Sequence, residues 1–264
     1  MNKLQNLIDW FEDKNKAIIA LSGGVDSALV AYAAFQKLGD SATAVTADYK
    51  TLSKEELETA KRVCSEIGIK QILLDYDELQ NEEFVKNDSN RCFHCRLELS
   101  DHLIALAKKH NVEFIVDGTN LDDLGDYRPG IEALKKNGVR SPLVETGFTK
   151  NEIRNTAKMV GLSVYDKPSN SCLASRIPWG QRITSEKLTR IELGETIVKQ
   201  LTNLKQVRVR DLDGMAKIEV DKDKISVFED KLNEITLKLK ILGFSSVEVD
   251  PDGYRPGKIN VIID

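Results

Sequence analysis

The chain has 264 residues, 41% hydrophobic and 30% charged, with a formal net charge of −4. That composition suits a soluble globular protein of one large domain, or a medium domain plus a small one, and excludes disordered, fibrous and membrane-spanning classes. From residue 181 onward Lys+Arg and Asp+Glu balance at 15 each, leaving 23 against 27 in the first 180. Neither part carries the basic excess that grips a phosphodiester backbone, so no nucleic-acid partner is expected.

The opening MNKLQNLIDWFEDKNK is amphipathic and lacks the apolar run of a signal peptide, and no stretch reaches the length of a membrane span. A cytoplasmic protein without membrane contact is expected. Disulfides are rare there, so Cys64, Cys92, Cys95 and Cys172 read as core filler, metal ligands or reactive thiols.

In chain order, KAIIALS is a short apolar strand that runs into Gly-Gly, and DSALVAYAAFQKLG has helical spacing and stops at Gly39. TAVTAD is a second strand. SKEELETAKRVCSEIG opens on a capping box, Ser53 to Glu56, and ends at Gly68. KQILLDY, the helix LELSDHLIALAKKHN and the strand EFIVDGTN follow, then a second boxed helix from Thr149 and Glu152. Strands alternating with helices predict a parallel sheet covered on both faces.

Residues 166–184 break the rhythm with two prolines and scattered serines. Beyond them the pattern predicts a helix near 185–202, a strand pair QVRVRDLDGMAKIEV, a helix near 222–242 and a strand FSSVEV. The fold class is therefore α/β followed by a small α+β unit, with domains at 1–180 and 181–264. Tyr-Arg-Pro-Gly occurs at 127–130 and 254–257 with unmatched flanks, which reads as two similar turns.

SGGVDS, residues 22–27, joins a strand to a helix. Its glycines let backbone approach an anion, the helix start offers unpaired N–H groups, and Ser22 and Ser27 add hydroxyls. It lacks the Walker and dinucleotide patterns. Asp26 beside such a cradle suits a cation such as Mg²⁺ held against phosphates. The motif resembles the PP-loop of the ATP-pyrophosphatase superfamily, whose adenine nucleotide alpha hydrolase-like fold binds ATP at the carboxyl ends of the strands. By that resemblance Ser22, Gly23, Gly24, Asp26, Ser27, Asp48, Gly118, Thr119 and Asn120 line the nucleotide, and Asp122 or Asp123 assists the metal; a solvated loop is the plain alternative for these two.

RCFHCR carries Cys92-x-x-Cys95, a spacing open to a zinc site, a redox pair or a cluster. His94 lies between the thiols, and no second C-x-x-C exists to close a zinc site. Cys64, in a helical pattern, reads as core. Cys92, Cys95 and Cys172 suit a [4Fe–4S] cluster with one iron open, or else a surface thiol pair plus an unrelated cysteine. Arg91, Arg96 and Arg176 flank these thiols and favour their ionised forms. Phe93 reads as a ring to stack on substrate or as core.

DKPSNSCLASRIPWG, with SGGVDS, DGTN, RSPLVE and VRVRDLDGMAKIE, resembles the LarE family over essentially the whole chain. The family consists of ATP-dependent sulfur transferases that build the nickel-pincer nucleotide cofactor of lactate racemase. The resemblance implies adenylation of a carboxylate of pyridinium-3,5-biscarboxylic acid mononucleotide, then sulfur insertion. It also implies a homo-oligomer built through the C-terminal unit. In single-cysteine members the residue matching Cys172 gives up its own sulfur. Cys92 and Cys95 depart from that pattern and resemble the three-cysteine branch, where a [4Fe–4S] cluster carries sulfide that itself derives from free sulfide or a sulfur donor.

Arg208 and Arg210 share one face of a strand and, with Arg176, fit the phosphate of a nucleotide substrate; a salt-bridged strand with Asp211 and Glu219 is the competing reading. Rival functions are a cluster-dependent tRNA thiolase, disfavoured by the charge; an ammonia-using ligase, which leaves the cysteines without a role; and a non-catalytic nucleotide-binding or iron–sulfur storage protein.

Overall fold

A computed structural model of the chain describes residues 3–125 and 129–255. Two compact units emerge: Met1–Glu78 with Asn90–Asn170, and Leu79–Ser89 with Ser171–Asp264. The division falls at 170/171, ahead of the 180/181 boundary read from sequence, and residues 79–89 join the second unit.

The first unit begins with α1 (Lys3–Asp9), β1 (Ala17–Ala20), α2 (Val25–Leu38), β2 (Ala42–Asp48), α3 (Lys54–Ile67) and β3 (Lys70–Asp75). The short α4 (Glu82–Val85) belongs to the other unit. The first then continues with α5 (Arg91–His110), β4 (Phe114–Val116), α6 (Pro129–Lys136), α7 (Pro142–Glu145) and α8 (Lys150–Met159). Its four strands are parallel, in the order β3-β2-β1-β4. Side chains alternate across the sheet, so Ile19 and Ala44 enter a core shared with α2, α3 and α8. Ile18 and Val45 enter a second core with Leu99, Leu103 and Leu134 of α5 and α6. Helices on both faces and parallel strands make this the PP-loop α/β arrangement.

Two local details differ from the sequence reading. Helix α5 starts at Arg91 rather than Leu97, because the Asn90 carbonyl accepts from Phe93 and His94, so the C-x-x-C is helical. The Thr149–Glu152 capping box is complete, whereas at α3 only Ser53 caps. The Glu56 carboxylate instead accepts from Lys167 and Asn170.

The second unit adds α9 (Ser185–Thr202), β5 (Arg208–Leu212), β6 (Met215–Glu219), α10 (Leu232–Ile241) and β7 (Ser246–Val249). Its mixed sheet runs β5-β6-β7, antiparallel then parallel. Asp213-Gly214, both at positive φ, close the β5–β6 hairpin as a two-residue turn requires. The single helix predicted over 222–242 is a 3₁₀ stretch, Lys222–Phe228, followed by α10. With three residues per turn, Ile225 and Phe228 fall on one side and both reach the core of Val198, Val209, Ile218 and Leu239. Asn87 ties residues 79–89 to this unit, its side chain donating to the carbonyls of Ile177, Pro178 and Gln181.

Among the described residues no helix is long and apolar enough to cross a membrane. Of the two Tyr-Arg-Pro-Gly turns, residues 127, 128, 256 and 257 lie outside the described residues.

Gly118, just past β4, lies against the start of α2. A Cβ there would stand 2.6 Å from the Ser27 nitrogen and 2.9 Å from its Cα, so backbone would have to move. Gly118→Ala is expected to cost about 1–3 kcal/mol by overpacking, read as a lower urea midpoint at unchanged slope. An unchanged midpoint would show that this contact has slack.

Candidate active site

In the first unit the loop after β1 enters α2 at Gly24, and no side chain caps that helix. Its leading N–H groups therefore face outward, at the end of the macrodipole that attracts anions. Gly23 needs its glycine twice over: φ is +78°, and a Cβ would lie 2.9 Å from the Glu56 carbonyl oxygen. Ser27 is buried and braces the loop from within, its Oγ donating to the Gly24 carbonyl at 3.2 Å and accepting from the Ser22 N–H at 3.2 Å.

The loop after β4 forms the opposite wall. Buried Asp117 accepts from Ser141 Oγ at 2.7 Å, Thr119 Oγ1 at 2.5 Å and the Thr119 N–H at 3.2 Å. Asn120 Oδ1 accepts from the N–H groups of Asp122 and Asp123. Thr119 and Asn120 thus shape this loop through buried side chains. Asp48 ends β2 in register with Asp75 at the end of β3.

Two lysines that the sequence reading did not select flank the cradle. Lys150 Nζ contacts Asp26 Oδ2, while Asp26 Oδ1 is buried without a hydrogen-bond partner. Burial pushes the Asp26 carboxyl above its usual value; Lys150 pulls it down, Asp123 adds to the push and Arg154 to the pull. Of the two acids named from sequence for the metal, Asp122 spends Oδ2 on the Lys150 N–H at 2.7 Å, and Asp123 is the one that bears on Asp26. On the other flank Lys167 Nζ donates to the Gly23 carbonyl at 3.1 Å and to Glu56 at 2.7 Å. Arg154 holds that strap by donating to the carbonyls of Tyr165 and Lys167. These partners are more than a hundred residues from the motif, and no local spacing marks them.

Cys92 and Cys95 sit one turn apart at the start of α5, Cys92 exposed and Cys95 half-buried. Buried Arg91 directs Nη2 at Cys92 Sγ, 3.9 Å away. Burial alone would pull the Arg96 guanidinium down, but Tyr49, Cys95, Asp117 and Cys92 around it hold it above its usual value. Cys64 is buried in the core, where desolvation pushes its thiol up to about 12. Among the described residues, no three His, Cys, Asp or Glu side chains of either unit are grouped as metal ligands.

Cys172 belongs to the second unit, half-buried at the start of the 3₁₀ turn Leu173–Arg176. Arg176 is 0% exposed and frames that turn: it pairs with Glu195 at 2.7 and 3.1 Å and donates to the carbonyls of Ser171 and Cys172. Arg210 donates to Glu219 at 2.7 and 3.0 Å and to the Ser175 carbonyl at 2.6 Å. Both guanidiniums, expected to hold a substrate phosphate, are thus taken up inside the unit. Asp211, the other acid expected to pair on this strand, instead accepts from Arg190. Arg208 lies over the Tyr254 ring, 5.4 Å from its centroid. Burial, then the charges of Arg176 and Arg210, push Arg208 below its usual value, against the opposing pull of Glu195 and Tyr254.

The family described as "Queuosine biosynthesis protein QueC" matches residues 16–90, which contain β1, the cradle and α2. A pyridinium-3,5-bisthiocarboxylic acid mononucleotide synthase of Lactiplantibacillus plantarum is 31% identical over 264 residues, covering 98% of this chain and 94% of that enzyme. The chain belongs to the LarE family. An uncharacterized protein of Synechocystis is 42% identical over 99% of this chain and 98% of its own length. A tRNA-specific 2-thiouridylase of Clostridium botulinum is 23% identical, over 70% of this chain and 62% of that enzyme. As a LarE-family member the protein is an ATP-using sulfur transferase built on a PP-loop.

Two outcomes follow from burial. Arg176→Ala strips buried Glu195 of its two-contact guanidinium partner, leaving it the Val209 N–H, and is expected to cost about 3–5 kcal/mol, measured by denaturant unfolding; a loss below about 1 kcal/mol would show that water reaches the site. In native protein at about pH 8, iodoacetamide should modify Cys92 while Cys64, still protonated, reacts only after unfolding. Mass mapping of modified peptides reads this directly, and early labelling of Cys64 would contradict its burial.

Proposed function

We propose that this protein uses ATP to adenylate the carboxylates of pyridinium-3,5-biscarboxylic acid mononucleotide and replaces the adenylate with sulfur. The product is the thiocarboxylated precursor of the nickel-pincer nucleotide cofactor of lactate racemase. The observation that carries this reading is the pairing, in one chain matching the synthase end to end, of an uncapped PP-loop with a cysteine turn framed by buried arginines. A net charge of −4 supports a small nucleotide substrate over a nucleic acid.

The N–H groups opening α2 and the Ser22 hydroxyl take the phosphates of ATP. A substrate carboxylate oxygen attacks the α-phosphorus, the bond to the β-phosphate oxygen breaks, and pyrophosphate leaves. The acyl carbon now carries AMP as leaving group; hydrosulfide attack there forms C–S, releases AMP and yields a thiocarboxylate and a proton. Arg208, which shares a strand face with Arg210 and lies over the Tyr254 ring, is the residue we assign to the substrate phosphate, with Arg176 and Arg210 holding the cysteine turn in place.

Asp26 fits a Mg²⁺ ion, since one carboxylate oxygen is buried without a hydrogen-bond partner; the ion would supply charge against the triphosphate. Cys92 and Cys95 fit two positions of a [4Fe–4S] cluster, being thiols on one helical face beside two arginines. We assign Cys172 as the third ligand, and such a cluster would supply an iron-bound sulfide. The second unit is proposed to bind substrate and to form a homo-oligomer, using the face where α10 exposes Leu237 and Ile241 one turn apart.

Anaerobic purification with iron and acid-labile sulfide analysis, combined with single Cys→Ala variants, tests the reading. Changing Cys92, Cys95 or Cys172 should remove both cluster and sulfur transfer while ATP binding persists, and Cys64→Ala should keep all three. If Cys92→Ala and Cys95→Ala still transfer one sulfur per chain, and Cys172 is converted to dehydroalanine with loss of H₂S, the cysteine is a sacrificial donor and the cluster assignment fails.

A further inference from the structure

The second Tyr-Arg-Pro-Gly stretch sets its tyrosine against a buried charge. In the second unit β5 and β6 pair so that Arg208 stands opposite Glu219, and Val220 is the next residue along. The chain leaving β7 turns back over that end of β6. The Asp250 N–H donates to the Ile218 carbonyl at 2.8 Å, and the Tyr254 N–H to the Val220 carbonyl at 2.8 Å. Gly253 makes the return possible: its φ is +71°, and a Cβ there would stand 2.8 Å from the Val220 carbonyl oxygen and 3.0 Å from the Lys222 nitrogen. The half-buried Tyr254 ring is thereby brought to 5.4 Å from the Arg208 guanidinium carbon, and Arg208 itself is buried.

The neighbouring guanidiniums are held by other means. Arg176 and Arg210 each meet a carboxylate in two contacts, which balance their charge inside the unit. An aromatic ring attracts a guanidinium through its quadrupole and brings no charge of its own, so the cation keeps its pull on an anion. Contact with a rigid ring also removes rotamer freedom from a long side chain before a ligand arrives.

We propose that Tyr254 is a positioning residue for the substrate, its ring holding Arg208 in the orientation that meets the phosphate of the pyridinium nucleotide. The role belongs to the ring and not to the phenol hydroxyl. The inference rests on the assignment of Arg208 to that phosphate, and adds what orients the arginine.

Titration calorimetry of the full chain with nicotinic acid mononucleotide, and separately with nicotinic acid riboside, which lacks only the phosphate, tests this. Tyr254→Leu should weaken mononucleotide binding about fivefold or more, the size of a desolvated cation–π contact, and change riboside binding by no more than about twofold. Tyr254→Phe, which keeps the ring and loses the hydroxyl, should retain the wild-type preference. If the Leu variant does not fold, Tyr254→Met makes the same comparison. A ring that only packs the unit would lower thermal stability on substitution and leave the mononucleotide-to-riboside ratio at the wild-type value; that result would overturn the proposal. A Phe variant no better than Leu would overturn it too. Wild-type protein that binds both ligands equally would instead take the phosphate away from Arg208, and this inference with it, before any variant is compared.

Discussion

A helix that begins without a cap leaves its first N–H groups without protein partners, and α2 begins that way at Gly24. The first unit is arranged around keeping those donors open but ordered. Ser27 braces the loop from inside, Gly118 lets the β4 loop close to contact, and Lys167 fixes the Gly23 carbonyl from the far side. Each of these replaces a capping side chain as the source of rigidity while leaving the amides available. The cost is a local excess of donors, which suits an anion.

Asp26 places a carboxylate at that donor-rich start. Its burial favours the neutral form and Lys150 favours the charged one, so the cradle holds its acid and its cation against each other. The second unit uses buried charge differently. Arg176 has no exposed surface and meets Glu195 in two contacts, and the same carboxylate accepts from the Val209 N–H on β5. The turn carrying Cys172 is thereby fixed to the sheet by hydrogen bonds that leave no slack in the guanidinium.

The strands and most helices were legible because hydrophobic spacing and capping residues are local signals. The PP-loop was legible for the same reason: a strand, two glycines and a helix start occupy neighbouring positions. Where the sequence misled, a nonlocal partner intervened. Glu56 completes a capping box by spacing, but Lys167 and Asn170 draw its carboxylate away. The C-x-x-C fell outside the helix read from sequence because the apolar stripe of α5 starts later, yet Asn90 begins the helix ahead of both thiols.

The sequence by itself determined the α/β order, the identity of the cradle and the family resemblance, since all three are written in contiguous residues. Only the tertiary structure decided which charges are spent inside the protein. From sequence Arg210 read equally as a phosphate ligand or as a salt-bridge partner of Glu219, and Arg176 as a phosphate ligand; folding sets Glu219 and Glu195 against them. Lys150 opens a helix legible from its capping box, but nothing local marks its contact with Asp26, 124 positions away. Charge has no periodicity along a chain. Whether a buried ion serves ligand or scaffold depends on the partner that folding brings beside it, because desolvation leaves it no third option.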